Sequence, residues 1–106
     1  MTTASADPDL KLFEDPLPEA PQDLVELLLA IPEVSKRISI LDTQVPLLSA
    51  DKINEMAELL KKKADFFLRN DINKSLNCGN LLFHIANLTE NDWYQALACR
   101  VKANVF

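Results

Sequence analysis

The chain has 106 residues, 48% of them hydrophobic, with one glycine and a formal net charge of −5. A length like that holds one domain at most, and a small one has only a thin margin between core burial and chain entropy. The negative balance excludes a nucleic-acid function that rests on a net basic surface. The near absence of glycine excludes Gly-rich phosphate loops and most hairpin turns, which leaves helices.

Residues 1–23, "MTTASADPDLKLFEDPLPEAPQD", hold four prolines (Pro8, Pro16, Pro18, Pro21) and six acids against Lys11 alone. This composition predicts a disordered or extended acidic leader. Residues 24–106 carry ten acids and ten bases, so the folded part is electrically balanced. No basic stretch followed by an apolar one opens the chain, and the longest apolar run, "LLLAI" at Leu27–Ile31, is far too short to span a bilayer. The expectation is a cytoplasmic protein without membrane partners.

The first helix is expected to start near Asp23 as N-cap and to run through "LVELLLAI" until Pro32 stops it, with Leu24, Leu27, Leu28 and Ile31 on one stripe. "PEVSKRISILDTQVPLL" offers Pro32 at the first helical position and an apolar series Val34, Ile38, Leu41 and Val45. Ile38–Ile40 also suits a strand, but no second strand is available to pair with it, and helix is preferred. The third helix has Ser49 as N-cap, Asp51 at the positive end of the dipole, and Ile53, Met56, Ala57, Leu60, Ala64, Phe67 and Leu68 at helical spacing.

Asn70 and Asp71 form a tight junction in which Asp71 caps the fourth helix, "INKSLNCGNLLFHIANL". Its inner stripe includes Ile72, Leu76, Gly79, Leu82 or Phe83, and Ala86. Gly79 stands mid-helix, where glycine costs about 1 kcal/mol relative to alanine, a cost that points to close approach of two helix backbones. Thr89 and Asp92 have the spacing of a capping box for the fifth helix, which continues through Tyr94, Leu97, Ala98, Val101 and Val105. The fold class is therefore all-α, about five helices packed as antiparallel neighbours.

Residues 69–106, "RNDINKSLNCGNLLFHIANLTENDWYQALACRVKANVF", resemble a tetratricopeptide-type helical hairpin. Ser75 and Leu76 match the family's small residue followed by leucine, and Ala86 its closing small residue. Ala96, Leu97 and Ala98 open the partner helix, with Ala103 at its small packing position and Phe106 at the bulky one. Residues 24–71, with "PLLSADKI" at their centre, are similar to the segment that caps such repeats in some bacterial signalling proteins, where the repeats precede a caspase-like (CHAT) or other effector domain. Gly79, Lys102 and the register of Trp93 depart from the repeat pattern. The resemblance implies the start of a right-handed solenoid, in which residues 24–106 are a cap plus one hairpin. A repeat relies on its neighbour for burial, so Val105 and Phe106 are expected to be covered by a further helix or by another chain.

No catalytic, metal or cofactor motif emerges. His84 is the one histidine, and no carboxylate or thiol lies within a turn of it; a structural or solvated role is preferred over a ligand. Cys78 and Cys99, 21 apart, fit no zinc or redox spacing and are read as reduced core thiols, with a disulfide or redox pair as the alternative. Glu55 and Glu58 are expected to pair with Lys61 and Lys62 rather than to form a catalytic carboxylate pair, and Lys61–Lys63 to be one solvated side of a helix. Trp93 and Tyr94 are the candidate partner-binding anchors, joined by Arg100, Lys102, Val105 and Phe106, against the alternative that one aromatic packs on the preceding helix and the other shields the turn. These features predict a non-enzymatic protein–protein interaction module whose partner is a peptide or domain. A helical bundle homodimerising through the C-terminal helices is the alternative. The acidic leader, complementary in charge to Arg100 and Lys102, is a candidate placeholder for the partner there, an idea that unchanged partner affinity after deletion of residues 1–22 would count against.

Overall fold

The first helix begins earlier than expected. Ala20 is extended, and Pro21 occupies the first position of α1, Pro21–Ala30. Proline suits that position because its missing N–H is one that no helix start uses and its fixed φ is already helical. The computed structural model describes Pro18 and residues 20–105. The expected leader thus lies outside the described residues except at its end, where Pro21–Asp23 are helical, and Phe106 also lies outside. Asp23 is not the N-cap; it stands in the first turn, where its charge faces the positive end of the helix. Ile31, extended ahead of Pro32, ends the helix.

Helix α2, Val34–Gln44, starts two residues after Pro32 rather than on it, with Glu33 as its N-cap. Its inner face also differs from the apolar series. Val34 is 58% and Ile38 36% exposed, whereas Arg37 and Gln44 are buried beside Ile40 and Leu41. Both polar side chains reach backbone on either side of α1. Arg37 Nε donates to the Ile31 carbonyl at 2.6 Å and Gln44 Nε2 to the Pro18 carbonyl at 3.2 Å. The face is chosen by these carbonyls, which would otherwise lose their water without a partner. A 3-10 turn, Val45–Leu47, then leads around Pro46.

Helix α3, Ala50–Asn70, follows the sequence reading closely: the Ser49 side chain accepts from the Lys52 N–H, and Ile53, Met56, Ala57, Leu60 and Ala64 are buried. Asp71 then serves two helices. Its N–H donates to the Phe67 carbonyl at 2.7 Å, and its side chain accepts from Lys74 N–H to cap α4, Ile72–Thr89. The inner face of α4 is Ser75, Cys78, Gly79, Leu81, Leu82, Ile85 and Ala86, while Ile72 is 49% exposed. Glu90 ends α4 in the left-handed region at φ 52°, and Asn91 N–H returns to the Ala86 carbonyl. Asn91, not a Thr89–Asp92 box, caps α5, Asp92–Val105, accepting at its Oδ1 from Trp93 and Tyr94 N–H. Thr89 instead donates back to the Ile85 carbonyl.

The described residues are all-helical, five α-helices with no strand. Three contacts between helices fix their directions. Ser75 Oγ donates to the Ala64 carbonyl at 2.8 Å, so α4 runs antiparallel to α3. Tyr94 Oη donates to Asn54 Oδ1 at 3.4 Å, which sets α5 beside α3 in the same direction. His84 Nε2 lies 2.8 Å from Asp42 Oδ1, so the ends of α2 and α4 meet. One core of twenty buried hydrophobic residues, from Leu24 to Val101, runs through all five helices.

Candidate interaction groove between helices three and five

Helix α5 has two flanks. Toward α4 it closes tightly: a Cβ added to Gly79 would sit 2.9 Å from Val101 Cγ1 and 3.4 Å from Lys102 Cγ. The absence of a side chain at Gly79 therefore permits the close helix approach expected from a mid-helix glycine. Lys102 lies along this flank with its ammonium 4.8 Å from the centre of the Phe83 ring, a cation–π contact. Val101 is 1% exposed and Val105 half-buried.

Toward α3 the same helix stands open. A shallow groove of about 220 Å³ is lined by Glu58, Lys61 and Lys62 of α3 and by Trp93 and Leu97 of α5. Trp93 and Leu97 are four apart and so share one side of α5. Arg100, three residues beyond Leu97, continues that side and is exposed. Trp93 is 56% exposed, an unusual state for the largest apolar side chain of a domain. Lys61 is held within α3 by Asp65, with Nζ–Oδ distances of 2.8 and 2.7 Å. The expected pairing of the lysines with Glu55 and Glu58 is not what forms: Glu58 Oε2 accepts from Asn54 at 3.2 Å instead. Lys62 and Arg100 make no ion pair among the described residues, so the groove has an apolar floor with one uncommitted cation in its lining, Lys62, and a second, Arg100, farther along the same side of α5.

The other residues singled out from the sequence fall in different places. Tyr94 points inward, 6% exposed, with its hydroxyl on Asn54. Burial, and then the negative charge of Glu58, pushes its phenol above the ordinary range. Arg100 and Lys102 lie on opposite flanks of α5, so they do not form one basic face. Phe106 is outside the described residues. The two cysteines are both free thiols, but only Cys78 is in the core; Cys99 is exposed, because its position falls on the outer side of α5. Burial pushes the Cys78 thiol from an ordinary 9.0 up to about 11, against weaker opposing pulls from Lys63 and Arg37. His84 does have an acidic neighbour, Asp42, which comes from another helix and 42 residues away, beyond the reach of any spacing argument within α4.

Lys61 and Lys62 are groove residues that sequence reasoning assigns to plain solvation, whereas Leu97 is a core residue as expected, 6% exposed, and lines the groove as well. The one signal for them in the sequence is that Leu97 follows Trp93 at helical spacing. Among the described residues no group of three or more His, Cys, Asp or Glu is placed to hold a metal ion, and no helix is long and apolar enough to cross a membrane. Compared with protein families, characterised proteins and solved structures, the chain matches none.

Proposed function

We propose that this chain is a non-enzymatic protein–protein interaction module that takes a partner segment into the groove between α3 and α5. The observation that carries the reading is Trp93, an indole 56% exposed beside Leu97 at the mouth of a concavity. Exposed tryptophans are the side chains that most often dominate binding energy, and they do so where a rim of other groups keeps water out. At about 220 Å³ the groove is smaller than the ~300–1,000 Å³ of ordinary small-molecule sites, and it suits one or two side chains of a peptide. Lys62 and Arg100 give the partner a preferred sign: acidic residues flanking an apolar anchor. The finer architecture, a cap and hairpin opening a tetratricopeptide-type solenoid, belongs to the same proposal and stands on the sequence resemblance alone.

The test is a panel of short peptides that combine a Leu or Phe anchor with acidic or basic flanks, titrated calorimetrically onto the full chain. Acidic members are expected to bind, and Lys62→Glu combined with Arg100→Glu is expected to weaken them by about tenfold or more. A panel with no binders, or binding indifferent to Trp93→Ala, counts against the reading. Association of the chain with itself through α4 and α5 would return the homodimeric alternative.

A further inference from the structure

We infer that the chain carries its own groove ligand: the stretch Asp9–Leu17, "DLKLFEDPL", docks on the α3–α5 groove and competes with the partner. The inference rests on the reading of the groove as a docking site and names how that site is regulated. Three observations converge on it. The first is chemistry: the stretch places Leu10, Leu12 and Phe13 among Asp9, Glu14 and Asp15 with Lys11 as its one base, an apolar and net acidic composition that Trp93 and Leu97 beside Lys62, with Arg100 farther along the same side of α5, would take. The second is the tether. Gln44 holds the Pro18 carbonyl, so the leader leaves the folded body where α2 ends and the turn into α3 begins.

The third is reach. The groove residues Glu58–Lys62 lie about 12–18 Å along α3 from its first residue, at 1.5 Å per residue. Leu12 and Phe13 precede the tethered Pro18 by six and five residues, and chain of that length spans up to about 17–20 Å. A covalent tether raises the local concentration of the segment, so weak contacts suffice to hold it until a tighter partner arrives. The net negative charge of the leader then has a use: it is opposite in sign to Lys62 in the groove lining.

Trp93 is the sole tryptophan, so its emission reports groove occupancy in the full chain. The wild-type chain is expected to emit as a shielded indole with low acrylamide quenching, and the Leu12→Ser, Phe13→Ser double variant to shift red with increased quenching. Adding a free peptide of residues 7–17 to that variant is expected to reverse the shift, and added salt to weaken the reversal. Identical emission from wild type and variant, with no response to the peptide, overturns the inference. If the acidic peptides of the panel still bind the variant under those conditions, the groove reading survives and only the intramolecular ligand is lost. Emission that changes with protein concentration equally in both chains also overturns it, assigning the groove to a second copy.

Discussion

The two flanks of α5 are built from the same fourteen residues and behave in opposite ways. On the α4 side, Gly79 removes a side chain and Val101 fills the space, so two helices meet at contact distance. On the α3 side, Tyr94 and Leu97 are buried while Trp93 stands out beside Glu58, Lys61 and Lys62, which leaves a groove. One flank is closed by its apolar side chains, and the other keeps the Trp93 indole exposed. A helix hairpin of this size gains its core from the closed side, which frees the open side for recognition.

Filling the closed flank should do the most damage. Gly79→Val places a branched side chain where even a Cβ stands 2.9 Å from Val101 Cγ1, and a loss of about 3 kcal/mol is expected in urea unfolding. Combining it with Val101→Ala should recover part of the loss, since the two changes share one space. Next in size is alkaline pH. The Cys78 thiol titrates near 9.0 when unfolded and about 11 when folded, so its contribution is fully present below pH 9 and is lost as pH rises toward 11. Through that window the unfolded chain gives up the proton first, and stability falls by up to about 3 kcal/mol. The raised Tyr94 phenol acts in the same direction. Unfolding midpoints measured across the window should fall less steeply in Cys78→Ala than in the wild type.

Ser75→Ala should cost about 1 kcal/mol in the same unfolding assay, because it removes the buried bond that Ser75 Oγ donates across to the Ala64 carbonyl of α3. The opposite sign is expected at the α4–α5 junction, where Glu90 holds φ 52° without being glycine: Glu90→Gly should stabilise by about 0.5–1 kcal/mol. Smallest of all is the open flank. Trp93→Ala removes the largest side chain of α5, yet should move the unfolding free energy by no more than about 0.5 kcal/mol. A loss near that of a core residue there would erase the distinction between the flanks.

Much of the fold is legible in the sequence because its signals are local. Ser49 and Asp71 are caps whose partners lie three residues on, and α3 repeats its apolar residues at one period for most of its length. Gly79 is readable as a helix contact because its cost needs a reason. What is not legible depends on backbone groups that no pattern within one helix displays. Arg37 and Gln44 turn inward to satisfy the carbonyls of Ile31 and Pro18, so Val34 and Ile38 of the apolar series are left outside while Leu41 and Val45 stay buried. Asn91 takes the cap from Thr89 because Glu90 turns left-handed and places the Asn91 side chain over α5. At the site, Trp93 is recognisable from its type and position, whereas its partners Lys61 and Lys62 read as a solvated face until α5 is set beside them.

The role of the open flank can be decided by adding the tightest acidic peptide of the panel to the isotopically labelled full chain and mapping which amide signals move. Changes are expected at Lys61, Lys62, Trp93, Leu97, Arg100 and their neighbours, with the Gly79–Val101 seam unmoved. Changes centred on α1 and α2, or on the α4–α5 seam, would contradict a docking role for the groove.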